Sequence, residues 1–123
     1  MSKTAELRQL ITAQLNTIPG VTYYREAPDD ASYPYKTFEL TTANLGDLNR
    51  DDIDLCVDIW DHNTNSKAVE TIADAVENLF NAKNLPQTGI LPTFFRDSRY
   101  QVTEDDKTIQ HIQLHFLVQS YIR

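Results

Sequence analysis

The sequence predicts an α+β fold: a two-layer sandwich in which a twisted, mainly antiparallel sheet of four to five strands carries two helices on one face, in the order α-β-β-β-α-β-β. Three observations predict it. Two segments repeat apolar residues at three- and four-residue spacing, and two others alternate apolar and polar residues with period two. Each of these segments has a single apolar side, so a layer of helices can close onto one side of a sheet. At 123 residues and 14.1 kDa the chain has room for one domain, 1–123, with enough surface to bury for a core of its own.

The first helix is expected over residues 3–17, where Leu7, Leu10, Ile11, Leu15 and Ile18 form one stripe. Ser2 or Thr4 can cap it, Glu6 suits the positive end of its dipole, and Pro19-Gly20 stops it. A short strand follows at residues 21–25, rich in β-formers. Pro28-Asp29-Asp30 then reads as turn chemistry, and residues 35–42 as a second strand carrying Phe38 and Leu40 on one side. A turn around Gly46 is expected over residues 44–51. Residues 52–61 give the cleanest alternation: Ile53, Leu55, Val57 and Ile59 point one way, and Asp54, Cys56, Asp58 and Trp60 the other. Thr64, Asn65 or Ser66 caps the second helix, whose stripe is Val69, Ile72, Ala73, Val76, Leu79 and Phe80. An irregular passage leads to a hairpin: a strand over 94–103, a turn over 104–107, and a long strand over 108–122. In that last strand Ile112, Leu114, Phe116 and Val118 oppose His111, Gln113, His115, Leu117, Gln119 and Tyr121.

The charge balance, 11 Lys and Arg against 18 Asp and Glu for a net −7, argues against duplex DNA or an anionic bilayer as the main partner. One cysteine, Cys56, allows no internal disulfide and fits a reducing compartment. The opening residues lack the apolar centre of a signal peptide, and no apolar run approaches the ~20 residues of a membrane span. Three scattered glycines permit neither a P-loop nor a dinucleotide fingerprint, and there is no Gly-x-Ser-x-Gly elbow. No cofactor, metal or catalytic residue is therefore expected. His111 and His115 stand four apart, a zinc spacing on a helix; on a strand the separation is about 13 Å, too far for one ion. Asp47-x-Asn49-x-Asp51 and Asp61-x-Asn63-x-Asn65 echo the start of a calcium loop. Both lack the glycine at position six and the glutamate at position twelve, and read as turns and caps.

With both helices on one side of the sheet, the opposite side is left uncovered. Trp60, Cys56, Leu117 and Tyr121 fall there, with Asp54, Asp58, His111 and His115 as a polar rim. A large bare apolar patch marks a partner surface. Trp60, Cys56, Leu117, Tyr121, His111 and His115 are accordingly the candidate interface residues.

Four stretches together resemble a known family. They are the opening helix with Pro19-Gly20-Val21; residues 33–40 (Tyr-Pro-Tyr-Lys-Thr-Phe-Glu-Leu) after an acidic loop; Cys56-Val57-Asp58-Ile59-Trp60 leading through a polar turn into residues 68–76; and the closing hairpin, residues 99–107 through 112–116. In this order the chain resembles the tail completion, or tail terminator, proteins of long-tailed bacteriophages and prophages. The resemblance implies a sheet with two helices on one side. It implies a structural role in the virion, assembled in the host cytoplasm: a ring, commonly hexameric, that caps the tail tube and joins the head connector. The implied partners are other copies of the chain, the tail tube protein and the head–tail connector protein, with no specific nucleic-acid or membrane binding and no catalytic residues. In such a ring Asp47, Asp51 and Asp52 are candidates for a channel-facing loop. A neck or head-completion subunit of the same virion, a ligand- or partner-binding α+β domain outside virions, and an enzyme are the other readings.

Overall fold

The computed structural model describes residues 3–47 and 50–122, with only the backbone for residues 42–47. The elements are α1 (Lys3–Leu15), β1 (Val21–Tyr24), β2 (Tyr35–Asp47), β3 (Arg50–His62), α2 (Lys67–Phe80), β4 (Lys83–Asn84), β5 (Ile90–Val102) and β6 (Ile109–Ile122). They form one six-stranded sheet in the order β1-β2-β3-β6-β5-β4. All pairings are antiparallel except β1 with β2, which run parallel. The predicted class, element order and two-layer arrangement hold, with the two-residue β4 as an addition.

The core lies between one face of this sheet and both helices. Leu7, Leu10, Ile11 and Leu15 of α1 and Val69, Ile72, Ala73, Val76 and Phe80 of α2 share a single buried cluster with Phe38, Leu55, Val57, Ile59, Leu114, Phe116 and Val118. The helical stripes and the period-two alternation therefore meet as expected. Phe80 sits at the centre of this layer, with its ring centroid 4.9 Å from Phe94 and 5.7 Å from Phe116. On the same side, Arg99 of β5 reaches Asp74 at 2.8 Å and Glu77 at 3.6 Å, so ion pairs fasten α2 over the sheet.

Two expectations need correction. The turn expected over 44–51 is instead the far end of a hairpin. β2 runs to Asp47 and β3 begins at Arg50, with Asn44 opposite Asp52 and Asp47 opposite Arg50 across two irregularities in register. The first strand of the closing hairpin begins at Ile90, not Phe94, and pairs β6 from Ile90↔Ile122 onward. The helix-cap expectations fare unevenly. Ser2 lies outside the described residues and Thr4 is within α1. Asn65 accepts from the Lys67 amide at 3.1 Å, and Ser66 at the N-cap position makes no side-chain cap bond.

Among the described residues Lys36 is the one charged side chain with no exposed surface. It lies on the helix side of β2, and its Nζ donates to the carbonyls of Ile18 (3.4 Å), Pro19 (2.9 Å) and Gly20. Three N–H groups meet three carbonyls, so the ammonium is satisfied by backbone alone. It ties the end of α1 and the entry to β1 onto β2. Gly20 has φ +92°, and a Cβ there would stand 3.2 Å from the Pro34 carbonyl, so the carbonyl array under Lys36 depends on a residue without a side chain.

Two outcomes follow from this packing. Phe80→Ala should cost about 3–5 kcal/mol, read from urea midpoints. Burial lowers the Lys36 amine to about 8, while the unfolded chain holds that proton to about 10.4. Between these pH values the unfolded state binds more protons, so stability rises with pH. The difference in stability between the wild-type protein and Lys36→Met should therefore shift toward wild type from pH 8 to 10 and stay flat from pH 6 to 7.5, in parallel urea titrations.

Candidate functional site: the open sheet face

The sheet side away from the helices is built in rows, because cross-strand partners in register share a face. The first row runs Tyr35–Trp60–His111–Val102, the next Thr37–Asp58–Gln113–Tyr100, then Glu39–Cys56–His115–Ser98, then Thr41–Asp54–Leu117–Phe95. Gln119 and Tyr121 continue it opposite Thr93 and Leu91. The face thus divides into an aromatic end, a polar middle and an apolar end.

At the aromatic end the rings stack along the row. Trp60 lies 3.6 Å from the His111 ring at 16° and 6.2 Å from Tyr35 at 22°. Tyr33 packs on Tyr35 and His62. Trp60 is therefore half-buried, stacked between Tyr35 and His111. His111 departs further from the expected polar rim. It is only 5% exposed, lying under Trp60 between Asp58 (Nε2 to Oδ1, 2.6 Å) and Glu104 (Nδ1 to Oε1, 2.8 Å). As a candidate interface residue it is turned inward, to the chain's own carboxylates.

In the polar middle, Cys56 Sγ stands 3.9 Å from His115 Nε2, and His115 Nδ1 3.2 Å from Asp54 Oδ2. Thiol, imidazole and carboxylate in that order have the outline of a nucleophilic triad. The electrostatics oppose it. Burial, then Asp58, Asp54 and Glu39, push the Cys56 thiol up to about 12, and no cation offsets them. His115 Nε2 is also engaged by Gln113 Oε1 at 3.0 Å. Asp58 shows the opposite balance: burial raises it, but hydrogen bonds from His111 and Gln113 outweigh burial and hold it below the usual carboxylate range. Burial, together with Tyr33 and Glu104, raises the Tyr35 phenol.

The apolar end holds the remaining candidates. Leu117 and Tyr121 are exposed, and Phe95, opposite Leu117 in register, joins them. Phe95 falls on this face only through the β5–β6 register, which the sequence pattern alone did not supply. The channel-loop candidates are not on a loop. Asp51 and Asp52 are consecutive on β3 and so address opposite faces. Asp52 Oδ1 pairs with Arg50 Nε at 3.1 Å, and the side chain of Asp47 lies outside the described residues. Asn49 of the calcium-like run is also outside them. In the second such run Asp61 accepts from the His62 amide and Asn63 from the Asn65 amide, which is turn chemistry. Among the described residues no three His, Cys, Asp or Glu side chains gather as metal ligands, and no helix is long and apolar enough to cross a membrane.

No protein-family model and no curated protein matches the sequence. Its fold does match solved structures. One is a chain of the virion of a native gene transfer agent particle, 13% identical with a TM-score of 0.74 over 98% of this chain and 95% of that one. A second solved chain is 12% identical, with a TM-score of 0.74 over 100% of this chain and 98% of that one. The class defined is thus a two-layer α+β domain with one helix-covered and one open sheet face, and its fold is like that of a chain from a virion particle over 98% of its length.

The inert-thiol assignment is testable. A thiol at about 12 has roughly a thousandfold less thiolate at fixed pH than one at 9, partly offset by its greater intrinsic nucleophilicity. Iodoacetamide at pH 8 should alkylate native Cys56 at least about tenfold more slowly than the urea-unfolded chain. Equal rates would contradict the burial argument.

Proposed function

We propose that the protein is a structural subunit of a phage-like virion, of the tail-terminator class. In this role copies form a ring, commonly hexameric, that caps the tail tube and meets the head connector. The observation that carries the reading is the end-to-end fold likeness to a chain of a gene transfer agent virion. The four sequence stretches that resemble tail terminators support it, as does the open sheet face with Phe95, Leu117 and Tyr121 exposed. A cyclic ring uses heterologous contacts, in which one patch meets a different patch of the next copy. The net charge of −7 fits a channel through which DNA passes without adhering. The protein acts without a cofactor and is not an enzyme: the Cys56–His115–Asp54 outline sits in a field that disfavours the thiolate. Its place is the tail or neck of the particle, reached from the host cytoplasm. A neck or head-completion subunit is the second reading, favoured by the same virion likeness.

Light scattering across concentration, with and without tail tube protein, separates these. A terminator gives a ring of defined mass, alone or on the tube. A neck subunit gives no gain in mass with tube protein but assembles with the head connector. A monomer indifferent to both would overturn the virion assignment.

A further inference from the structure

We propose that copies of this chain join edge to edge, β1 of one copy pairing with the outer edge of β5 in the next, so that one sheet continues into its neighbour. This names where the copies of the proposed ring meet, and it rests on that reading. β1 ends the sheet on one side, with no strand against its outer edge among the described residues. On the other side β4 covers only Thr93 and Phe94 of β5, which leaves the outer edge of residues 98–102 without a strand. Unpaired strand edges are templates for pairing with another chain. A heterologous contact needs two different patches, and the two ends of this sheet supply them.

The registers make the match specific. Val21 is level with Tyr35, Trp60, His111 and finally Val102, and Tyr24 with Phe38, Val57, Leu114 and finally Arg99. The four residues of β1 therefore stand at the height of residues 99–102, the open segment of β5. Three antiparallel pairings separate β2 from β5, so β5 runs opposite to β1. Rotation about an axis along the strands keeps their directions. The next copy's β1 then meets β5 antiparallel, with Val21 opposite Val102 and Tyr24 opposite Arg99.

The backbone groups fit this alignment. The Arg25 amide donates inward to the Phe38 carbonyl, so by alternation Thr22 and Tyr24 turn their amides to the open edge. The Thr108 carbonyl accepts from Asn63 beside β3, so the even-numbered residues of β6 face β3 and the odd-numbered ones face β5. Arg99 and Gln101, opposite Leu114 and Ile112, are left with outward amides and carbonyls. The outward groups of the two edges thus fall opposite each other. The side chains fit as well. Among the described residues Tyr100 (54%) and Val21 (53%) are the most exposed large apolar side chains, and the pairing makes them diagonal neighbours on one face. Arg8 and Arg25 lie over the Tyr24 ring at 4.8 and 5.2 Å and, unlike Arg50, Arg96 and Arg99, pair with no carboxylate among the described residues. One residue beyond Tyr24, Arg25 comes level with Ser98 and with Asp97, the exposed residue that the irregularity in β5 leaves without a cross-strand partner. The contact uses the edges of the sheet and leaves its open face for other contacts.

The test is a disulfide that only neighbouring copies can form. Val21→Cys and Val102→Cys are combined in a Cys56→Ser chain, and the assembled protein, alone or on tail tube protein, is oxidised with diamide. Within one chain the two positions are four strand spacings of about 4.8 Å apart, beyond the reach of a disulfide; across the proposed pair the Cα atoms approach to about 4.5 Å. Covalent oligomers up to the mass of the ring are expected on a non-reducing denaturing gel, and each single-cysteine chain should give at most dimers. Arg25→Asp and Asp97→Arg should each weaken association by about tenfold or more, and the two together should recover most of it. A ring of wild-type mass without cross-links would overturn the edge contact and leave the ring reading standing. Where the paired-cysteine chain fails to fold, the charge exchange decides, and no recovery in the double variant overturns the contact. A wild-type chain that assembles neither alone nor with tube or connector protein would overturn both.

Discussion

The pairing of β3 with β6 is the constraint on which the rest of the molecule depends. All thirteen residues of β3 pair in register with β6, from Arg50↔Tyr121 to His62↔Ile109, without a bulge. Because side chains alternate, this one register places Ile53, Leu55, Val57 and Ile59 beside Val118, Phe116, Leu114 and Ile112 under the helices. It places Asp54, Cys56, Asp58 and Trp60 beside Leu117, His115, Gln113 and His111 on the other side. A slip of one residue along β3 would carry its two sets to the wrong faces, burying the carboxylates of Asp54 and Asp58 under the helices. The hydrophobic core and the polar network are thus two outcomes of the same alignment.

The two faces are fixed by different physics. The helix side is held by apolar burial, with Arg99, Asp74 and Glu77 at its margin. The open side is held by paired ionisable groups, each histidine against its own carboxylate, and by rings stacked along a row. Half-buried charges are tolerated there because nearly every one has a directed partner. This leaves the ionisable groups of the open face largely self-satisfied, while Phe95, Leu117 and Tyr121 at the apolar end, with Tyr100 in the middle and Tyr33 at the aromatic end, stay exposed.

Much of this was legible in the sequence, for local reasons. Alternation over residues 52–61 and 108–122 and the helical stripe of α2 are set by nearest neighbours along the chain, so period alone identified them. Gly46, Asn44 and Asp47 read as a turn because their propensities say so; the hairpin extends through them because long partner strands continue the ladder, a tertiary effect that overrides propensity. Lys36 could not be read as buried, since its three carbonyl partners come from residues 18–20 and no side chain signals them. His111 was legible as a residue of the open face but not as a clamped one. Glu104 reaches it from a turn whose path the sequence leaves unspecified. Proline at position 92 masked the early start of β5, although the strand accommodates it opposite Ser120.

We propose that the chain meets other copies or other components at the apolar end of the helix-free side of the sheet. Hydroxyl-radical footprinting of the free chain and of the chain in assembled particles tests it most directly. The account predicts that labelling of Phe95, Leu117 and Tyr121 falls on assembly while Leu79, at the edge of the helix layer, is labelled equally in both states. Protection confined to the helix layer, with those three side chains still fully labelled in the particle, would contradict it.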